Sequence, residues 1–182
     1  MTLAWKMIEK RDVNYDSISI IRLGPERFAD FRVLRLESLK AFSEAFGSSY
    51  EEESSFSDEV WKARIVNMLF ALYQTSLIGM IGFLPRSRVK TRHIADIFSF
   101  YVSETYQGIG VGSRLMEKTL LNIESNREIE KIALSVNCDM KAAVHLYKKF
   151  GFAISGRLIR ELNVNGKFYD EFIMEKLVKT QT

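Results

Sequence analysis

The stretch Val102-Ser103-Glu104-Thr105-Tyr106-Gln107-Gly108-Ile109-Gly110-Val111-Gly112-Ser113-Arg114 decides the fold. Before it runs an almost wholly apolar segment, Ile94 to Val102 (IADIFSFYV), which reads as a strand buried on both faces. After it comes Val111 to Glu124, where Leu115, Thr119 and Ile123 share one face of a helix. Three glycines at alternate positions, Gly108, Gly110 and Gly112, therefore stand where a strand hands over to a helix. Glycine reaches dihedral angles closed to other residues and puts no Cβ between backbone and ligand. Free amides at a helix start, with the helix dipole behind them, bind phosphate oxygens. The spacing is not GxxxxGK[ST], which excludes a P-loop. It is not GxGxxG either, and no acidic residue closes the next strand to hold a ribose, which argues against a dinucleotide site. The other reading is a plain glycine-softened turn, poorly suited to three glycines in five residues at a helix start.

Working outward, Lys131 to Val136 reads as a second buried strand. Met140, Ala143, Val144 and Tyr147 fall at i, i+3, i+4 and i+7, so a helix runs to about Lys149 and stops at Gly151. Strand, helix, strand in succession implies a parallel pair inside a mixed sheet. Asn165-Gly166 predicts a hairpin between two final strands. Upstream, Ser17 to Leu23 reads as a strand, and Pro25 opens a helix to about Phe46. Gly47 to Asp58 is polar and acidic, a loop, followed by a helix from Glu59 to Met68. Strands over Leu69 to Gln74 and Leu77 to Leu84 meet at a tight Thr75-Ser76 turn.

The 182 residues hold two prolines and no low-complexity linker or repeat, so one domain over 1–182 is expected, with 1–16 as an N-terminal extension. The lone Cys138 can form no internal disulfide, and no run approaches the roughly 20 apolar residues of a membrane span. With no apolar leader near the N-terminus, the expected location is cytoplasmic. Net charge is only +3, and the densest basic stretch, Arg86 to Arg92, reads as a solvated loop or an electrostatic guide for a polyanion. It lacks interleaved aromatics and a recognition helix, so no nucleic-acid partner is expected. His93 and His145 are too few and too far apart for a metal site.

Gln107-Gly108-Ile109-Gly110-Val111-Gly112 resembles the Q/R-x-x-G-x-G/A pattern of GNAT acetyltransferases, and Ala143 to Phe152 resembles their A-x-x-L-Y-x-x-x-G-F signature. The resemblance implies the GNAT fold: a mixed α/β architecture with a splayed sheet of about seven strands and about four helices. It implies acetyl-CoA as acyl donor and an amine as acceptor, transferred directly in a ternary complex. Carried over by position, the backbone of Phe100, Tyr101 and Val102 holds the pantetheine arm. The amides from Gly108 through Ile109, Gly110, Val111 and Gly112 to Ser113 hold the pyrophosphate, and Tyr147 sits near the thioester sulfur. Where the family often has Asn, this chain has Met140, with Asn137 one turn earlier as a substitute. Where N-terminal protein acetyltransferases carry a base on the following strand, it has Ser135. The resemblance leaves a homodimer open. The same fold also serves as a non-catalytic acyl-CoA sensor, which would keep the cradle and lose the acid and base.

The chemistry needs a neutral amine and a leaving thiolate that gains a proton. Asp96, eleven residues before Gln107, matches the offset of the catalytic glutamate in histone-type members of the superfamily. One methylene shorter, it would work through a water. Its other reading is a structural carboxylate paired with His93 or Arg92. Glu104 and the cluster Glu51, Glu52 and Glu53 are rivals, the cluster suiting a cationic acceptor. Tyr147 is the expected acid, since a phenol with pKa near 10 is matched to a departing thiolate.

Overall fold

The structure, a computed structural model, describes residues 13–178. Its centre is a seven-stranded mixed sheet in the order β1-β2-β3-β4-β5-β7-β6. The strands are β1 (Ile18–Ile21), β2 (Met68–Tyr73), β3 (Ser76–Pro85), β4 (Ile94–Val102), β5 (Lys131–Asn137), β6 (Ala153–Val164) and β7 (Lys167–Leu177). All neighbours run antiparallel except β4 and β5. That parallel pair is the one the strand-helix-strand order requires, with α4 (Val111–Glu124) as the crossover.

Successive residues of β2 show how the two faces are filled. Met68 and Phe70 pack with Phe31 and Leu34 of α1 (Phe28–Ala41) and Trp61 and Ile65 of α3 (Asp58–Ile65). Leu69 and Ala71 pack with Leu115, Met116 and Ile123 of α4, and with Val144 and Tyr147 of α5 (Lys141–Lys149). The alternation is the period-two geometry of a strand buried on both faces.

Several boundaries depart from the sequence reading. The helix opened by Pro25 begins as a 3-10 turn and ends at Ala41, five residues short of Phe46. Phe42 leaves helical geometry (φ −139°, ψ 61°) and its ring lies 6.0 Å from that of Tyr101, so tertiary packing wins over propensity. The expected loop over 47–58 contains a short helix, α2 (Tyr50–Ser54). Ser49 caps it, its hydroxyl accepting from the Glu52 amide at 3.1 Å, and Ser49-x-x-Glu52 is the capping-box spacing that signals such a helix. Met68 belongs to β2, not to the preceding helix, and the β2–β3 turn is Gln74-Thr75, with Gln74 at φ +53°.

A buried ion cluster ties α1, α2 and α3 together. Glu53, fully buried, accepts from Arg35 at 3.0 and 2.8 Å and from Arg64 at 3.1 Å. Burial alone would push this carboxyl up, but the hydrogen bonds and charges of the two arginines hold it below its ordinary value. Phe46 lies over the Arg35 guanidinium, 4.5 Å from ring centre to carbon. The cluster fixes the chain on both sides of the segment 42–49.

Of the expected N-terminal extension, residues 1–12 lie outside the described residues. Tyr15 packs on the start of α4, where Arg114 donates to its carbonyl at 3.0 Å.

Candidate active site

The turn between β4 and α4 leaves a run of amides free. Gly108 and Gly110 sit at φ +82° and +94°, in the region only glycine enters cheaply, and Gly110 is the N-cap residue of α4. The first helical bond of α4 is donated by Arg114 to the Gly110 carbonyl at 3.1 Å. None of the amides from Gly108 to Ser113, including Ile109 and Val111, has an acceptor among the described residues. At Gly112 a Cβ would meet the Phe100 ring at 3.3 Å, so the third glycine lets the helix start approach the strand. Gln107 closes the strand end, its side-chain amide donating to the Val102 carbonyl at 2.8 Å.

β4 itself is bent. Met80 opposes Tyr101 and Gly82 opposes Phe98, so Ser99 and Phe100 together face Ile81, a bulge with Ser99 at φ +51°. A non-glycine residue there costs about 1–3 kcal/mol, a strain that collects at functional sites. The bulge turns β4 away from β5, and their parallel pairing stops at Asp96 and Ala133. Beyond that point the facing edges of β4 and β5 diverge without pairing, the Val102 carbonyl being taken by Gln107, an arrangement that admits an extended polar chain as an added strand.

A cavity of about 470 Å³ occupies this gap. It is lined by Phe98 to Val102 on one wall, Ser135 and Val136 on the other, and Gln107, Gly108 and Gly112 at the cradle. Met140, Leu146 and Tyr147 close one side, and Phe42, Ala45 and Phe46 the opposite one. The last three come from the segment after α1, held over the end of β5 by Asn137, whose side chain donates to the Glu44 carbonyl at 2.8 Å.

Tyr147 lines the cavity, with ring contacts to Phe100 and Phe152 at 6.0 Å each. Burial pushes its phenol well above the ordinary value, so it keeps its proton. Its hydroxyl has no hydrogen-bond partner among the described residues. Asp96 is not brought to the cavity. Arg86 grips it with two bonds of 2.8 and 2.7 Å, half exposed, below the point where the strands part. The reason is register: Leu84 pairs with Asp96, which sets Arg86 just past the strand end within reach of the carboxylate. The carboxylate is paired with Arg86, not with the expected His93 or Arg92.

Asn137 is also spent within the protein: besides Glu44 it accepts from the Asp139 amide at 2.8 Å, and it lies outside the lining. Its side chain therefore holds the wall of the cavity instead of facing into it. Glu51, Glu52, Glu53 and Glu104 lie outside the lining as well. The Cys138 thiol is pushed up by burial, the opposite of what an acyl-accepting thiolate requires. Arg86 to Arg92 precedes β4 while the glycine turn follows it, about 30 Å away at ~3.3 Å per strand residue, so the two lie at opposite ends of the strand. Sequence reasoning missed Phe42, Ala45 and Phe46, which carry no signal beyond helical periodicity.

No group of three or more His, Cys, Asp or Glu among the described residues is placed to hold a metal ion, and no helix among them is long and apolar enough to cross a membrane.

A run of free amides after a bulged strand, opening on a splayed parallel pair, suits a ligand with phosphate at one end and an extended polar chain at the other. The acetyltransferase (GNAT) family model matches residues 35–152, and the chain belongs to that family of acyltransferases. It is 27% identical over 126 residues to the L-amino acid N-acetyltransferase AaaT of Escherichia coli K12, covering 66% of this chain and 77% of that protein. It is 29% identical over 97 residues to the spermidine N(1)-acetyltransferase of Vibrio cholerae, spanning about half of each chain (53% and 54%). Among solved structures, a GNAT acetyltransferase from Streptococcus pneumoniae superposes with TM-score 0.74 at 25% identity, over 89% of this chain and 99% of that one. The yncA protein of Salmonella typhimurium, a putative acetyltransferase solved with acetyl-CoA, shares the fold with TM-score 0.75 at 15% identity, over 91% and 96%.

Proposed function

We propose that the protein transfers the acetyl group of acetyl-CoA directly to a primary amine, both substrates meeting in the cavity between β4 and β5. The observation that carries this reading is the continuity of one cavity from the unpaired amides of Gly108 to Ser113, past the bulge at Ser99, to the wall formed by Phe42 and Phe46. The cradle amides would hold the pyrophosphate, and the edge of β4 at Phe100, Tyr101 and Val102, unpaired with β5, would hold the pantetheine arm. When bound there, acetyl-CoA supplies an activated acyl group. Tyr147, protonated and apolar in its surroundings, donates to the departing thiolate, an interaction that strengthens as charge develops and so favours the transition state. Asp96, held by Arg86, remains at the foot of the gap as a structural carboxylate.

The test is an amine panel with acetyl-CoA, read by release of free thiol: amino acids, linear polyamines, aminoglycosides, and peptides with free N-termini or lysines. Thiol release dependent on an amine, with the acetylated amine recovered by mass spectrometry, is expected. Tight acetyl-CoA binding with no amine-dependent release across the panel would turn the assignment to an acyl-CoA sensor.

A further inference from the structure

With Asp96, Glu51 to Glu53 and Glu104 all outside the cavity, removal of the acceptor's proton needs another route. The ionisable residues of the lining are Tyr101, Asp139, Lys141 and Tyr147. Lys141 is committed to the Cys138 carbonyl at 2.9 Å. Asp139 stands in the β5–α5 connection, with no hydrogen bond at its carboxylate that would link it to another acid among the described residues. Tyr101 is different. Its ring passes under the end of α1 beside Phe42, and its hydroxyl donates to the Glu37 carboxylate at 2.9 Å. Tyr101 is buried to 5% exposure while Glu37 is exposed on α1, so the pair runs from the cavity wall to solvent.

We propose that the Tyr101 hydroxyl and the Glu37 carboxylate form the route by which the acceptor ammonium loses its proton. This rests on the acetyl transfer proposed above. A phenol whose proton is given to a carboxylate offers its lone pairs to a donor on the other side. The acceptor R–NH3+ passes a proton to Tyr101 Oη as the phenol's own proton moves to Glu37, leaving a neutral amine, an intact phenol and a protonated carboxyl that exchanges with water. The nitrogen then bonds the acetyl carbon and the carbon–sulfur bond breaks. Sulfur leaves with the bonding pair and takes the Tyr147 proton, and the second nitrogen proton, released as the amide forms, returns to Tyr147 through water. Burial and the adjoining Glu37 and Glu104 charges, only partly offset by the Ser103 hydroxyl, keep Tyr101 protonated, which suits a relay rather than a free base. Tyr101 is thus the catalytic residue of the pair, and Glu37 acts through it.

The test compares wild type, Glu37→Gln and Tyr101→Phe over pH. Gln keeps an acceptor for the phenol but cannot take its proton, and the exposed position makes a folding defect a minor concern. Each variant should lose roughly 10²-fold in kcat/KM at neutral pH, the lower end of the general-base range. The loss should shrink as pH rises through the acceptor's own pKa, and should nearly vanish with a weakly basic amine already neutral at the assay pH. The double variant should be no worse than either single one, because the two act as a unit. Acetyl-CoA affinity by calorimetry should be unchanged. A loss that is equal at every pH and with every amine would make the pair structural and overturn the proposal. Normal turnover in Glu37→Gln at neutral pH would overturn it too, leaving water or Asp139 as acceptor. Wild-type protein that releases no thiol with any amine would instead overturn the acetyl-transfer reading itself.

Discussion

Two single side chains test the site most directly. Tyr147→Phe keeps the ring contacts to Phe100 and Phe152 and removes only a hydroxyl that bonds to nothing among the described residues. Thermal stability should therefore stay level, while transfer slows by roughly 10²–10⁴-fold if the phenol is the acid. Because burial raises that phenol, wild-type turnover should show no alkaline loss from Tyr147 below its ordinary value of 10. Stopped-flow transfer with an acetyl ester of an acidic thiol should partly rescue the variant, and wild-type rates in Tyr147→Phe would return the residue to the core. At Gly110 a methyl group meets both a positive φ of +94° and the Tyr15 ring at 3.1 Å. Gly110→Ala should weaken acetyl-CoA binding roughly tenfold, the effect of a left-handed strain of about 1–2 kcal/mol transmitted to the amides. Gly166→Ala, equally left-handed at φ +84° but in the distant hairpin, is the control that should leave calorimetric affinity unchanged.

At the scale of elements, α2 owes its position to Glu53. A five-residue helix has no stability of its own in water, so the two arginines on one buried carboxylate hold it in place. Glu53→Gln leaves Arg35 and Arg64 facing each other without compensation, and removing one partner of such a buried group costs about 3–5 kcal/mol. Urea unfolding should show that loss at neutral pH, where total stabilities are commonly about 5–15 kcal/mol. The folded carboxyl lies below its ordinary 4.5, so its stabilisation is full above 4.5 and fades as pH falls through the folded value. The gap between wild type and variant should therefore narrow in acid, and a gap constant down to pH 3 would contradict the assignment. The same element keeps Glu53 itself from the cavity: its carboxylate faces arginines, and Phe46 lies between Arg35 and the cavity.

Over the whole molecule, the cavity exists because one sheet is paired at its foot and parted at its top. β4 is bound to β3 along its length and to β5 only from Ile94 to Asp96, and the bulge at Ser99 directs the divergence. Helices α4 and α5 seal one face of the gap and the segment after α1 seals the other.

The strand from Ile94 to Val102, the helix from Val111 to Glu124 and the hairpin at Asn165-Gly166 were legible from sequence alone, to the residue. So was the glycine turn that joins that strand to that helix. Each depends on neighbours a few positions away, where periodicity, chirality and turn chemistry act without help from the rest of the chain. The partners of the charged and polar groups were not legible. Asp96 goes to Arg86, Asn137 to a carbonyl 93 positions earlier, and Tyr101 to a carboxylate 64 positions earlier. Those choices follow from strand register and from how α1 lies across the sheet. Only the folded molecule decided that the conspicuous acid of β4 is held at the foot of the gap, and that an inconspicuous one on α1 meets a cavity-lining phenol.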